Sequence, residues 1–412
     1  LSISNSAGIL NLNGKDLSLS TSSTFSNEGT LKLIGSEVLT NFINDTDSGT
    51  VEYTGTGSYS SLVCGNSYYN LVFSGGGTYS LDNALTVNRN LSISNSAGIL
   101  NLNGKDLSLS TSSTFSNEGT LKLIGSEVLT NFTNDTDSGT VEYTGTNGPY
   151  TLKSFTGPDY YNLKINGEGA TFNLPSDLDI NGDLIITAGT LDVTSNNYNI
   201  NIAGNFSNEG TFNPRQGTVT FDGTSASYIT GNNTFYNLII DTNTDGQKTV
   251  YFEANNTQTI TGNLTLTGHQ NKILTIRSTI DGTCAILDIP NSITTGVDYV
   301  DVKDNKIAGS NTITAGINSI NSGNNINWIF TKEITLSKKE ITLFDYLNSP
   351  LRIPIESMLY VTVKFVPRGY YIPSLNLIGY VYVPITFFEP DPILYILRKI
   401  KYLTTPHIIF LP

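Results

Sequence analysis

Along residues 91–146 the apolar side chains come in pairs two positions apart. Leu91 and Ile93 flank Ser92, Leu100 and Leu102 flank Asn101, Leu107 and Leu109 flank Ser108, Leu121 and Leu123 flank Lys122, and Val141 and Tyr143 flank Glu142. A period of two is the pattern of a strand with one buried face. Between the pairs lie Asn103-Gly104-Lys105-Asp106, Ser116-Asn117-Glu118-Gly119 and Asp135-Thr136-Asp137-Ser138-Gly139. These are turn residues, because Gly and Asn tolerate positive φ and Asx side chains bond their own backbone. No segment carries a helical period. The pair at Leu100 returns at Leu121 and at Val141, about 20 residues on each time, too regular for an antiparallel sandwich. The spacing predicts successive coils of a parallel β-solenoid, each with two or three short strands around a shared interior, stacked at roughly 4.8 Å. Leu100, Leu121 and Val141 should then lie above one another in adjacent layers.

The same stretch is almost a copy of residues 1–56, with Ile43 against Thr133 as the single difference over 56 aligned positions. A block of 90 residues is therefore duplicated in tandem, 1–90 and then 91–165, followed by diverged coils over 166–330. Phe25 to Thr30 (Phe-Ser-Asn-Glu-Gly-Thr) returns at Phe115 to Thr120 and at Phe206 to Thr211. A Gly-Thr-Val-x-[Tyr/Phe]-x-Gly-Thr element occupies Gly49 to Thr56, Gly139 to Thr146 and Gly217 to Thr224. An aromatic-Tyr-Asn-Leu tetrad occupies Tyr68 to Leu71, Tyr160 to Leu163 and Phe235 to Leu238. At roughly 22 residues per coil, residues 1–330 make about 15 coils and a rod of about 70 Å, with about four coils in each block. Such an array grows in one dimension and so escapes the size limit of a single globular core.

Composition sharpens this picture. Charged residues are 14% of the chain and glycines number 38, which leaves a surface of Ser, Thr and Asn that is polar without being ionic. The net charge of -13 argues against nucleic acid and against anionic membranes, both of which call for basic patches. No run of 18 or more apolar residues is present to span a bilayer. Cys64 and Cys284 fall in different coils, which predicts two buried free thiols rather than a disulfide.

The composition breaks at residue 331. Residues 331–412 hold 9 of the 14 prolines, only Gly369 and Gly379 among the glycines, and 9 Lys or Arg against 6 Asp or Glu. Met358 to Phe365 alternates like a strand, and prolines cut the rest into short extended pieces. This small, different β-rich segment reads as a cap or docking segment over the last coil, or else as a stretch that is not a natural folded element. Together with the motifs above, Asp298 to Asp304, Asn311 to Ile313 and Gly323 to Phe330 resemble bacterial secreted β-helix proteins, the haemagglutinin-like and adhesin-like surface family, over residues 1–330. That resemblance implies a right-handed parallel β-helix and an extracellular, secreted or cell-surface protein.

Candidate chemistry is sparse. A glycosidase pair needs two carboxylates projecting into one groove, and the best cluster, Asp298, Asp301 and Asp304, is split by alternation between two sides of a strand. Asp179 and Asp183 lie near a turn, and the two histidines, His269 and His407, have no nucleophile arranged around them. Asp241, Asn243 and Asp245 followed by Gly246 fit the opening of a calcium loop, but Phe252 stands where the twelfth-position Glu belongs. An Asp-Gly turn explains the same residues, so calcium is a candidate and no other cofactor is expected. Tyr69, Tyr161 and Tyr236 of the tetrads are the candidate ligand contacts, as stacking platforms for a sugar, against packing at a coil corner. At turns, Asn70, Asn162 and Asn237 have two roles open to them, bonding the backbone of an adjacent coil or capping a turn singly. The expectation is a non-enzymatic stalk or adhesin whose partner is a host or environmental glycan, another cell-surface component or a second copy of itself. A polysaccharide-processing β-helix and a phage tail-fibre or tailspike segment are the alternatives.

Overall fold

The computed structural model describes residues 1–331 apart from Thr156, residues 243–245 and Ser292. The segment 332–412, with His407 and the Met358 to Phe365 alternation, lies outside the described residues. The described chain is a parallel β-solenoid of about 15 turns without a helix. The expected ladder is present: Leu100 is the register partner of Leu121, Leu121 of Val141, and Val141 of Leu163. All four side chains are buried, while their strand neighbours Thr120, Lys122 and Thr140 face outward. Burying one aliphatic side chain per rung is worth roughly 2 kcal/mol each, and the rungs repeat through the rod.

Each coil has three sides. The first side begins with a six-stranded sheet, Ile9–Asn11, Thr30–Leu33, Thr50–Tyr53, Asn70–Phe73, Asn90–Ile93 and Thr114–Asn117. The second carries a 15-stranded sheet that starts at Ser58–Tyr59, passes through Thr78–Ser80, Ile99–Asn101, Thr120–Leu123 and Thr140–Tyr143, and reaches Ile320–Gly323. The third begins with Ser67–Tyr68, Leu85–Val87, Leu107–Leu109 and Leu129–Thr130. Further along, Leu178–Ile180 through Ile293–Asp298 take over the first side, and Asn233–Phe235 through Asn305–Ile307 take over the third. The first side stays continuous across the change. Asn117 N–H donates to Asp135, Asn134 Nδ2 donates to Asp159 O, and Tyr160 bridges to Ile180.

This arrangement refines the estimate of about four coils per block. Ile9–Asn11 and its exact copy Ile99–Asn101 lie in different sheets, the first side and the second. Phe25 likewise precedes a strand of the preceding side, whereas its copy Phe115 lies on the first side. Ninety residues thus advance the chain by four coils and one further side, roughly a third of a turn. Identical sequence is therefore displayed in two directions.

Two motifs that recur together in the sequence meet inside the rod. Tyr53 and Tyr143 come from the Gly-Thr-Val element, Tyr68 and Tyr160 from the tetrad, and all four are fully buried. Their hydroxyls pair, Tyr53 with Tyr68 at 3.1 Å and Tyr143 with Tyr160 at 2.9 Å. Tyr68 also donates to Gly65 O and Tyr160 to Lys153 O, each at 2.6 Å. A buried hydroxyl without a partner is costly. In the third set both positions are Phe, Phe221 and Phe235, so no hydroxyl is buried alone. The tetrad Asn closes the same junction from outside: Asn70 Nδ2 donates to Gly49 O and Asn162 Nδ2 to Gly139 O. Asn237 instead donates to Thr218 Oγ1. Gly139 has φ +70, and a Cβ there would meet Asn117 O at 2.2 Å, so the element needs glycine at its head.

Both cysteines are free. Cys64 is buried, and burial pushes its thiol up to about 12. Cys284 departs from the expected burial: it is half-buried and donates to Asn324 O at 3.3 Å.

Candidate functional site

The sequence-selected tyrosines are half-exposed, while the aromatic residue before each of them is core. Alternation explains the split, since adjacent residues on a strand point to opposite faces. Tyr69 and Tyr236 follow strands of the third side and precede strands of the first, so they share one corner of the rod. Tyr161 precedes Asn162–Asn173 of the second side and therefore stands at the next corner. The three do not form one row, because the duplication rotates the second copy away from the first.

Another aromatic pair does lie in register on one side. Tyr228 is the partner of Tyr251 on the second side, with ring centroids 4.7 Å apart and an interplanar angle of 8°. Tyr228 is 44% exposed. The same outward row continues to Arg277, which pairs with Asp301 at 2.6 Å, and Tyr228 is tied to the preceding coil through its N–H, which donates to Asn205 Oδ1. The signal was legible as an aromatic at an outward position of two successive alternating strands, Ser227–Thr230 and Lys248–Phe252.

The carboxylates form clasps between coils. Asp298 accepts from Asn318 N and Nδ2, at 3.1 and 2.9 Å. Asp301 takes Arg277 and the Ser322 hydroxyl, and Asp304 takes Gly282 N–H and Asn324 Nδ2. The Asp183 carboxylate accepts from Asn205 N and Nδ2, and Asp179 N–H donates to Asp159. Several buried acids carry no signal in the sequence. Glu127 accepts from Gly104, Ile124 and Gly125 N–H, and its copy Glu37 accepts from Gly14, Ile34 and Gly35 N–H. Glu142 sits between Lys122 and Lys164 at 3.0 and 3.3 Å, and Arg215 grips Asp192 through two bonds.

His269 is not isolated: its Nε2 lies 2.7 Å from Asp241 Oδ1, so the first candidate calcium ligand already has a partner. Asn243 and Asp245 lie outside the described residues. Among the described residues no group of three His, Cys, Asp or Glu side chains is placed to hold a metal, and no helix is long and apolar enough to cross a membrane. A shallow polar groove on the first side is lined by Asp177, Asn199, Asn201, Thr218 and Thr220. Its side chains bond the backbone of the next coil, Asp177 accepting from Asn199 N–H and the Asn199 side chain from Thr218 N–H.

These clasps give stability a pH dependence. Burial works to raise Glu142, Asp192 and Asp304, but the bonds and charges around them outweigh it and hold all three below their ordinary values of 4.5, 3.8 and 3.8. Asp45 is lowered in the same way, its burial outweighed by Asn27 and Asp47 N–H. Asp159 runs the other way, raised by burial despite the N–H groups of Phe155 and Asp179. Lowered groups bind fewer protons folded than unfolded, so their contribution is complete above the unfolded values and is lost as pH falls through the folded ones. Four such groups oppose one. The melting temperature should therefore drop as pH is taken below about 4, and Glu142→Gln should flatten that drop; thermal melts from neutral to acid pH check both.

No protein-family model matches the chain, and neither the curated proteins nor the solved structures give a match.

Proposed function

We propose that the protein is a non-enzymatic structural or adhesive rod that works at a cell surface or outside the cell. One observation carries this reading: a 90-residue block is duplicated almost without change, yet its copies face different sides of the rod. Duplication lengthens such a rod and preserves every internal contact, because each coil touches only its neighbours. A catalytic groove shared between copies would be turned out of line by the same step. The acids that looked most like candidates are engaged in holding coils together, which supports the non-enzymatic reading. Adhesion, in this reading, rests on weak contacts multiplied along the rod, with a glycan as partner and the Tyr228 and Tyr251 stack as the principal contact.

A glycan array tests this with three proteins: the parent, Tyr228→Ala with Tyr251→Ala, and Tyr69→Ala with Tyr161→Ala and Tyr236→Ala. The stack variant is expected to lose binding by about tenfold or more, taking the roughly 1–3 kcal/mol of a base stacked on an aromatic ring as the scale for one ring face. Binding unchanged in both variants would remove the aromatic contact, and no binding by the parent would leave a purely structural rod. Shortened or unsaturated products from pectic or other acidic glycans would overturn the non-enzymatic reading outright.

A further inference from the structure

The first coil, residues 1–19, has no coil over it among the described residues. Ser2–Ile3, Ile9–Asn11 and Leu17–Ser18 each pair on one side only, with Ser26–Asn27, Thr30–Leu33 and Leu39–Thr40. Their exact copies, within residues 91–109, lie inside the rod and pair onward in the same registers. Ile99 stands opposite Thr120 as Ile9 does opposite Thr30, and Leu107 opposite Leu129 as Leu17 does opposite Leu39. The copy therefore shows what fits this face. Asn70–Phe73, Thr78–Ser80 and Leu85–Val87 cover it strand for strand, with Leu71 over Leu91, Tyr79 over Leu100 and Leu85 over Leu107. Ser94 N–H donates to Phe73 O and Ile99 N–H to Gly77 O, each at 2.9 Å. Asn95 Nδ2 and Asn103 Nδ2 donate to Ser74 O and Leu81 O of the same covering turn.

Without that turn the same side chains are open. Leu1 is 51% exposed against 1% for Leu91, and Ile9 is 62% exposed while Ile99 is half-buried. Leu10, Leu17 and Leu19 are half-buried, whereas Leu100, Leu107 and Leu109 are core. The turns already hold the receiving shape. Asn5 Oδ1 accepts from Ala7 N–H and Asn11 Oδ1 from Asn13 N–H, as Asn95 and Asn101 accept from Ala97 and Asn103. Charge guards many free sheet edges, but Lys15 and Asp16 do not close this one. Their copies are Lys105 and Asp106, and Asp106 O accepts Leu85 N–H from the covering turn. We propose that the open face of residues 1–19 is a docking surface for one turn of the same repeat, with the strands of residues 67–90, carried at the end of another polypeptide. An intact second copy does not offer that turn, because its own residues 67–90 lie between two coils. Docking adds three parallel strands at once and joins molecules end to end, which lengthens the rod whether or not it binds a glycan.

Hydrogen exchange followed by mass spectrometry tests this on the full chain alone, on the full chain mixed with a synthetic peptide of residues 67–90, and on the full chain with residues 67–90 fused ahead of Leu1. The fusion recreates the junction of Asn90 with Leu91. Amides of residues 2–11 should exchange about tenfold or more slowly with the peptide and in the fusion than in the chain alone. A peptide carrying Leu71→Asp, Tyr79→Asp and Leu85→Asp should give no protection. Ile9→Pro removes the N–H that corresponds to the one Ile99 donates to Gly77, so this variant should gain little from the parent peptide. Unchanged exchange in both the mixture and the fusion would overturn the docking face. Protection in the fusion alone would overturn delivery by another molecule. Protection of the chain alone that grows with concentration, alongside a dimer in sedimentation, would make a second copy the occupant and overturn the proposal as well.

Discussion

Leu121→Ala should destabilise the coils around it by about 3 kcal/mol, the ordinary cost of removing a buried leucine and leaving a partly collapsed cavity. Leu121 is fully buried between Leu100 and Val141 in the ladder of the second side. Thr120→Ala on the same strand, facing solvent, should change stability by no more than about 0.5 kcal/mol. The copy of Leu121 is Leu31, also fully buried, on the first side and four coils away. Sites so far apart add independently, so the double variant should cost the sum of the two singles. Urea unfolding of the four proteins, with hydrogen exchange to locate the loss, measures this. Equal effects of Leu121→Ala and Thr120→Ala would mean that the ladder does not point inward.

Glu127→Ala should cost a similar amount, about 3 kcal/mol, by a different route. The carboxylate of Glu127 receives Ile124 N–H at 2.6 Å, Gly125 N–H at 2.7 Å and Gly104 N–H at 3.0 Å. Alanine leaves three donors at a nearly closed corner without an acceptor, and an unsatisfied buried donor costs roughly 1–3 kcal/mol, reduced here because the corner can relax towards water. Gln at this position keeps one oxygen but presents an amide N–H to the remaining donors, so Glu127→Gln should fall between the parent and Glu127→Ala. Thermal melts rank the three. If Glu127→Gln matches the parent, the charge and the second oxygen contribute nothing, and one acceptor oxygen is enough to hold the corner.

These two residues mark what the sequence makes visible and what it hides. Leu121 announces itself through its partners at i and i+2 and through recurrence about 20 residues on, because a strand's period of two is written directly into the chain. Glu127 looks like any surface acid. Two of its donors, Ile124 and Gly125 N–H, are local, but the third, Gly104 N–H, comes round from the preceding coil, and contacts between coils leave no local pattern. Asp298, Asp301 and Asp304 teach the same lesson, since as a string they resemble a catalytic cluster, while in space each holds a different neighbour. Tyr69, Tyr161 and Tyr236 could be recognised as recurring, but not as occupying two corners.

The sequence alone determined that this chain is all β, that its strands are short and one-sided, that they recur at the length of a coil, and that residues 331–412 differ in kind. Those properties follow from side-chain alternation and composition, which need no partner to be read. Only the tertiary structure decided the direction in which each copy faces. Whether 90 residues close a whole number of turns depends on the length of every corner, and one surplus side in the block is enough to turn identical sequence through roughly a third of a turn.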